Sequence, residues 1–335
     1  MSHALRKVKE RVALKGRLFH KVFKVAVSRN RSLCKSVALQ LLILSNVLLI
    51  LMASVLADDY ISPELVKIST PQYRPESAAF SPRLGTYEYS VGWEGINAAS
   101  CTVTIERRGG AYVVEAAART YSGVDLLYKL RYGAVGTISA NDLTSINLSI
   151  DHQENSRRKN IAIDFDPLNQ TTHRRTINAV RSKGADDPDK KTLSFITDNF
   201  TLDPIAAVFL ARSLDWKIGD TRHFDVFNGK SRYFISLTAQ DKTVIRYKGE
   251  QRPVIVITPQ VRNLTTTKPR SKLRQAYIYV SDDALREVLR IESSVFIGRV
   301  ITELDSFTPL ARESEPQIQL VQSNDDQLSN RAQMR

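Results

Sequence analysis

The sequence predicts a mainly β protein built on one large, curved antiparallel sheet. The sheet is closed or partly open and barrel-like, with two short helices and an N-terminal signal or anchor helix. Residues 84–138 run through four stretches of alternating apolar and polar residues, the pattern of half-buried strands. Further stretches of the same kind follow as far as Leu304, about a dozen in all, and a sheet of that length curls or closes because twist accumulates and open edges are a liability. A two-layer sandwich is the second arrangement such strands allow. Ahead of them lies a basic block and then an apolar run, Val37 to Leu56, of about 20 residues.

The basic block comes first in the chain. Residues 1–57 hold eleven Lys or Arg and one acid, so +10 of the net +13 sits there and the remaining 278 residues carry only +3. A body this balanced lacks the basic stripe that neutralises phosphates, which argues against a nucleic-acid partner. The apolar run ends in Val55-Leu56-Ala57 before Asp58-Asp59, and small or β-branched residues at these positions suit a signal peptidase. The same run is long enough to stay as a single membrane span, so cleavage near Ala57 and an anchor in the inner membrane through residues 37–56 are both open. Either way the positive flank stays in the cytoplasm and the body from Asp58 is periplasmic. The expected domains are 1–57 as leader or anchor, 58–83 as a Pro-containing linker, 84–307 as the β domain and 308–335 as a polar, disordered tail.

Within the β domain, Tyr87, Tyr89, Val91 and Trp93 alternate with Glu88, Ser90, Gly92 and Glu94. Cys101, Val103 and Ile105 continue the pattern, and after the turn Arg108-Gly109-Gly110 so do Tyr112, Val114, Ala116 and Ala118. A helical insert, Ser122 to Lys129, is expected with Ser122 as its cap and Val124, Leu127 and Tyr128 on one face. Tyr132, Ala134 and Ile138 form the next inward face; Ile146, Leu148, Ile150 and His152 the one after; then Ile161, Ile163 and Phe165. Thr171 to Val180 reads as a weaker strand and Arg181 to Lys191 as a loop. Asp203 is a good N-cap and Pro204 suits the first position of a second helix, which runs to about Leu214. Strands resume at Phe224, Tyr233 and Val244. Val254 to Ile257 reads as a strand buried on both faces, and Tyr277 to Val280, Val288 to Ile291 and Val295 to Leu304 close the series.

These residues resemble a bacterial family known as domain of unknown function 3108, over about Gly85 to Phe307. The resemblance rests on Tyr87 to Trp93 with Gly95-Ile96, on Gly123-Val124-Asp125-Leu126-Leu127-Tyr128, on Ile163-Asp164-Phe165-Asp166, on Asp203-Pro204, on Ile218-Gly219-Asp220 and on the turn Tyr279-Val280-Ser281-Asp282-Asp283. Ala98-Ala99 departs from the Ala-Gly common at that place. The resemblance implies an exported, β-rich envelope protein and brings no catalytic residues.

Candidate chemistry is sparse. His152, His173 and His223 fall in separate predicted strands without HxH or HxxxH spacing, which supports no metal site. Asp164 and Asp166 form a DxD that reads as a solvent-facing strand end, and there is no GxSxG elbow or Gly-rich phosphate loop. Cys101 is the one cysteine of the exported part, so it has no partner for an intrachain bridge and reads as a small core residue. Asp125 and Arg131 flank the insert and are placed to pair. The aromatic set is the most informative: Tyr87, Tyr89, Trp93, Tyr121, Tyr128 and Tyr132 offer apolar bodies with polar tips and are the candidate ligand-binding residues, with ordinary core packing as the alternative. The reading is therefore an envelope protein, non-enzymatic and without cofactor, that cradles a lipid or amphipathic ligand. A structural factor docking another envelope protein through a sheet edge is second, and an envelope hydrolase third.

Overall fold

The computed structural model describes residues 60–66, 68, 80–167, 169, 174–184, 186–266, 273–295 and 298–310. The leader, the apolar run 37–56, most of the linker, His173 and the tail beyond residue 310 lie outside the described residues. Among the described residues fifteen strands form one sheet. They are β1 (Gly85–Trp93), β2 (Ile96–Arg108), β3 (Ala111–Thr120), β4 (Leu130–Ser139), β5 (Ser145–Glu154), β6 (Arg157–Phe165), β7 (Arg175–Ser182) and β8 (Lys191–Thr197), then β9 (Thr201–Leu202), β10 (Thr221–Phe227), β11 (Arg232–Tyr247), β12 (Glu250–Asn263), β13 (Leu273–Ser281), β14 (Val288–Val295) and β15 (Gly298–Pro309). Two α-helices join them, α1 (Ser122–Asp125) between β3 and β4 and α2 (Pro204–Ser213) between β9 and β10.

The topology is two meanders joined through β1 and β15. Spatially the order runs β8 back to β1, then β15 back to β9, so the first and last strands pair at the centre of the sheet. All neighbours are antiparallel except the short β9, which lies parallel to β10. The two edges, β8 and β9, are consecutive in the chain and separated by residues 198–200. They come together as side chains rather than as a ladder: Thr197 Oγ1 and Thr201 Oγ1 are 3.1 Å apart, and Phe195 of β8 meets Phe227 of the neighbouring β10 edge-on with ring centroids 5.0 Å apart. The result is a nearly closed barrel with one seam.

A buried arginine holds that seam. Arg232, on β11, pairs with Asp225 of β10 at 2.5 Å and donates to Thr197 Oγ1 of β8 at 3.1 Å. Its Nη1 donates to the carbonyls of Pro63 and Val66, each at 3.1 Å, so a 3-10 turn, Pro63–Leu65, is bound to the same group. Both charged side chains are 2% exposed, and the extra acceptors are what make such a burial tolerable.

Alternation was a sound guide to the inward faces. Tyr87, Cys101, Ile105, Val114, Tyr132, Ile138, Leu148 and Ile150 all lie in one continuous core. Val254 to Ile257 is buried at every position, as a strand covered on both faces must be. Three local expectations are corrected and one strand goes unanticipated. Ile146 faces outward, because a bulge opposite Thr137 and Ile138 inserts it as the extra residue and turns Ser145 inward. Residues 191–197 form a strand, β8, whose only buried side chains are Phe195 and Thr197, too little apolar signal to read from sequence. The insert's helix is a single turn capped by Tyr121 without a side-chain bond, and Ser122 is its first residue rather than its cap. Of the face expected to pack, Tyr128 is buried and Val124 half-buried, while Leu127 stays exposed.

The second helix begins where expected. Asp203 Oδ1 accepts from the amides of Ile205 at 2.7 Å and Ala206 at 3.1 Å. Its sequence, PIAAVFLARS, has no polar face, and a helix apolar all round belongs inside a core. It lies within the curved sheet. Phe209 packs on Tyr112 of β3, with centroids 5.7 Å apart, and Ile205 packs on Gly136 of β4, where an added Cβ would stand 3.0 Å from Ile205 Cδ1. Trp216, just beyond, closes the far end by donating to the Ala211 carbonyl at 2.8 Å.

Candidate functional site

A helix inside a barrel of this many strands leaves unfilled space beside it. A cavity of about 170 Å³ lies between α2 and the inner face of the sheet, lined chiefly by apolar side chains. Tyr87, Tyr89, Cys101 and Tyr132 reach it from the first half of the sheet, and Phe209 and Arg212 from α2.

Of the six aromatic candidates, the structure brings Tyr87, Tyr89 and Tyr132 together on this cavity and leaves three out. Trp93 ends β1 beyond a bulge at Val91 and Gly92, and packs on a small satellite core of Val91, Ala99 and Val300. Tyr121 is 40% exposed, and Tyr128 is buried in the core without lining the cavity. The insert is held in place by the expected ion pair, Arg131 to Asp125 at 2.5 Å, with Thr120 Oγ1 donating to the same carboxylate. Arg131 lowers the Asp125 pKa, so this pair persists into acid.

The polar atoms on the cavity differ in how well they are satisfied. Tyr87 donates to the Arg83 carbonyl and Tyr89 to the Val288 carbonyl, each at 3.3 Å. Tyr132 Oη is buried with no partner among the described residues. Burial pushes all three phenols up, so they stay protonated donors. Burial also pushes the Cys101 thiol up to about 12, which leaves it inert as a nucleophile at neutral pH.

Arg212 is the charged group of the cavity, 8% exposed. Its Nε and Nη2 donate to the carbonyls of Arg286 at 2.8 Å and Leu285 at 3.0 Å, on the turn between β13 and β14. Arg212 was legible in the sequence as the one charge in an otherwise apolar helix, but nothing there placed the helix inside the sheet.

The histidines stay apart. His152, 3% exposed, packs edge-on against Tyr132, and its Nε2 has no partner among the described residues. Burial, with Lys159 nearby, depresses its pKa to about 4. His223 stacks on Phe234 and shares a 2.9 Å hydrogen bond with Ser236. Asp164 and Asp166 are both exposed at the end of β6. Among the described residues no group of His, Cys, Asp and Glu could hold a metal ion, and no helix is long and apolar enough to cross a membrane.

Solved structures similar to the chain include these two. One is a β-barrel-like protein of domain of unknown function DUF1849 from Brucella abortus, 7% identical, covering 69% of this chain and 98% of that one with a TM-score of 0.44. The other is a candidate lipoprotein from Parabacteroides distasonis, 10% identical, covering 68% and 98% with a TM-score of 0.28. No curated protein matches the chain. The model of a family described as protein of unknown function (DUF3108) matches residues 88–305, well over half of the sequence, and the chain belongs to that family.

Proposed function

We propose that this is an exported envelope protein, non-enzymatic, whose barrel-like sheet holds an apolar group in the cavity beside α2. The cavity carries the reading. Its volume of about 170 Å³ is close to that of an engineered apolar cavity of ~150 Å³ that stays dry and binds benzene. It is below the ~300–1,000 Å³ of pockets that enclose a drug-sized ligand. The occupant is therefore a short acyl or aromatic group rather than a whole lipid. The unpartnered Tyr132 hydroxyl supports a bound group, since a buried polar atom without a partner costs stability that a ligand can restore.

The periplasmic location rests on the basic block and the apolar run of residues 37–56. Either a cleaved leader or a retained inner-membrane anchor serves this function.

The test is binding of hexanol to the purified domain, followed by chemical-shift changes of the tyrosines on the cavity. Shifts confined to Tyr87, Tyr89, Tyr132 and their neighbours are expected. Native mass spectrometry of freshly extracted protein gives the resident ligand. No shift with hexanol and no co-purifying apolar molecule would defeat the proposal.

A further inference from the structure

One charged side chain borders the cavity. Arg212 reaches the cavity with no ion-pair partner among the described residues. Glu287, 5% exposed, is the nearby carboxylate, but it is engaged by Arg83 at 3.2 Å. Burial raises the Tyr87 pKa, with Arg212 lowering it and Glu287 raising it to a smaller degree. Arg212 lines the cavity, whereas Arg83 and Glu287 do not, and Arg83 is 38% exposed. Arg83 lies over the Phe307 ring, 3.7 Å from its centroid, and neither residue lines the cavity. An unpaired buried cation is costly, and a charge-assisted bond to an anion is the strongest way to satisfy it.

We propose that the cavity selects ligands that end in a carboxylate, with the head on Arg212 and the apolar part packed between α2 and the tyrosines of β1. This rests on the apolar-ligand reading above and adds the class of ligand. Arginine suits the role because its planar fork pairs with both oxygens of a carboxylate, whereas lysine offers a point charge. The carbonyls of Leu285 and Arg286 pre-orient the fork before any ligand arrives.

The experiment compares three probes of equal chain length, hexanoate, 1-hexanol and hexylammonium, titrated calorimetrically into the unmodified protein. Hexanoate should bind roughly tenfold or more tighter than hexanol, the ratio one charge-assisted hydrogen bond supplies, and hexylammonium should be the weakest. Equal binding of hexanoate and hexanol overturns this inference and leaves the apolar cavity reading standing. Failure of all three probes to bind overturns both. The unmodified protein carries the decisive comparison, because Arg212→Met strips two carbonyls of their donor and endangers folding. Arg212→Lys keeps a charge, and in folded protein it should lower the ratio of hexanoate to hexanol affinity. An unchanged preference in Arg212→Lys would show that Arg212 does not read the head, and would overturn the assignment.

Discussion

Single side chains in this protein are governed by what burial leaves unsatisfied. Tyr128 and Tyr132 both hold hydroxyls without partners among the described residues, yet only Tyr132 borders the cavity. Tyr128→Phe should therefore be neutral or stabilising, because it deletes a desolvated hydroxyl and keeps the ring. Tyr128→Ala should cost about 3–5 kcal/mol, as large-to-small changes in a core do. A urea midpoint lowered by Tyr128→Phe as much as by Tyr128→Ala would mean that the hydroxyl is bonded after all. His152 adds a pH dependence. Its folded pKa is depressed from 6.5 to about 4, so the unfolded chain binds the proton more readily between those values. The stability it contributes is full above about pH 6.5 and is lost as pH falls towards 4, about 2 kcal/mol between pH 8 and pH 5. Measured against His152→Phe, the parent protein should lose that much more stability on acidification. A parallel pH profile for the two would refute the burial of this imidazole in its neutral form.

Among the elements, α2 is the one on which the interior depends. It fits because Gly136 lets Ile205 approach β4, with no room for a larger residue before the contact becomes strained. Gly136→Val should overpack this contact and cost about 1–3 kcal/mol by urea denaturation. The same change should alter hexanol binding, since displacing α2 reshapes the cavity it borders. A stable variant with unchanged binding would show that the helix and the cavity are independent. At the same end Asp203 caps α2 with Oδ1 while its Oδ2 is buried without a partner among the described residues, and burial raises its pKa. Asp203→Asn keeps the capping oxygen and removes the buried charge, so it should be tolerated far better than Asp203→Ala.

At the scale of the whole molecule, the weak point is the seam. Fourteen neighbouring strand contacts are ladders, whereas β8 and β9 meet only through side chains around Arg232. Arg232→Met leaves Asp225 buried and unpaired, a change of the kind that costs about 3–5 kcal/mol. Hydrogen exchange should accelerate first in β8 and β9 and leave β1–β15 pairing protected. Uniform acceleration across the sheet would mean that the seam is not a separate cooperative unit. Export is tested on the same scale: a phosphatase fused after Phe307 should be active if the basic block stays in the cytoplasm. An inactive fusion at normal expression would remove the periplasmic assignment.

What the sequence determined by itself is local and periodic. Strict alternation at Tyr87, Cys101, Val114, Tyr132 and Leu148 committed these residues to one face, and Asp203-Pro204 committed the start of α2, because each depends only on neighbours a few positions away. The tertiary structure decided everything that depends on closure. It placed α2 in the lumen, because a helix without a polar face has to be covered on all sides and the curved sheet is the surface that covers it. It turned Ile146 outward through a bulge that no periodic rule marks, and made a strand of residues 191–197 because β7 was there to pair with it. It also sorted the tyrosines. Tyr87, Tyr89 and Tyr132 face the residual space and Tyr121 does not, since which aromatic borders a cavity depends on where a distant helix comes to rest.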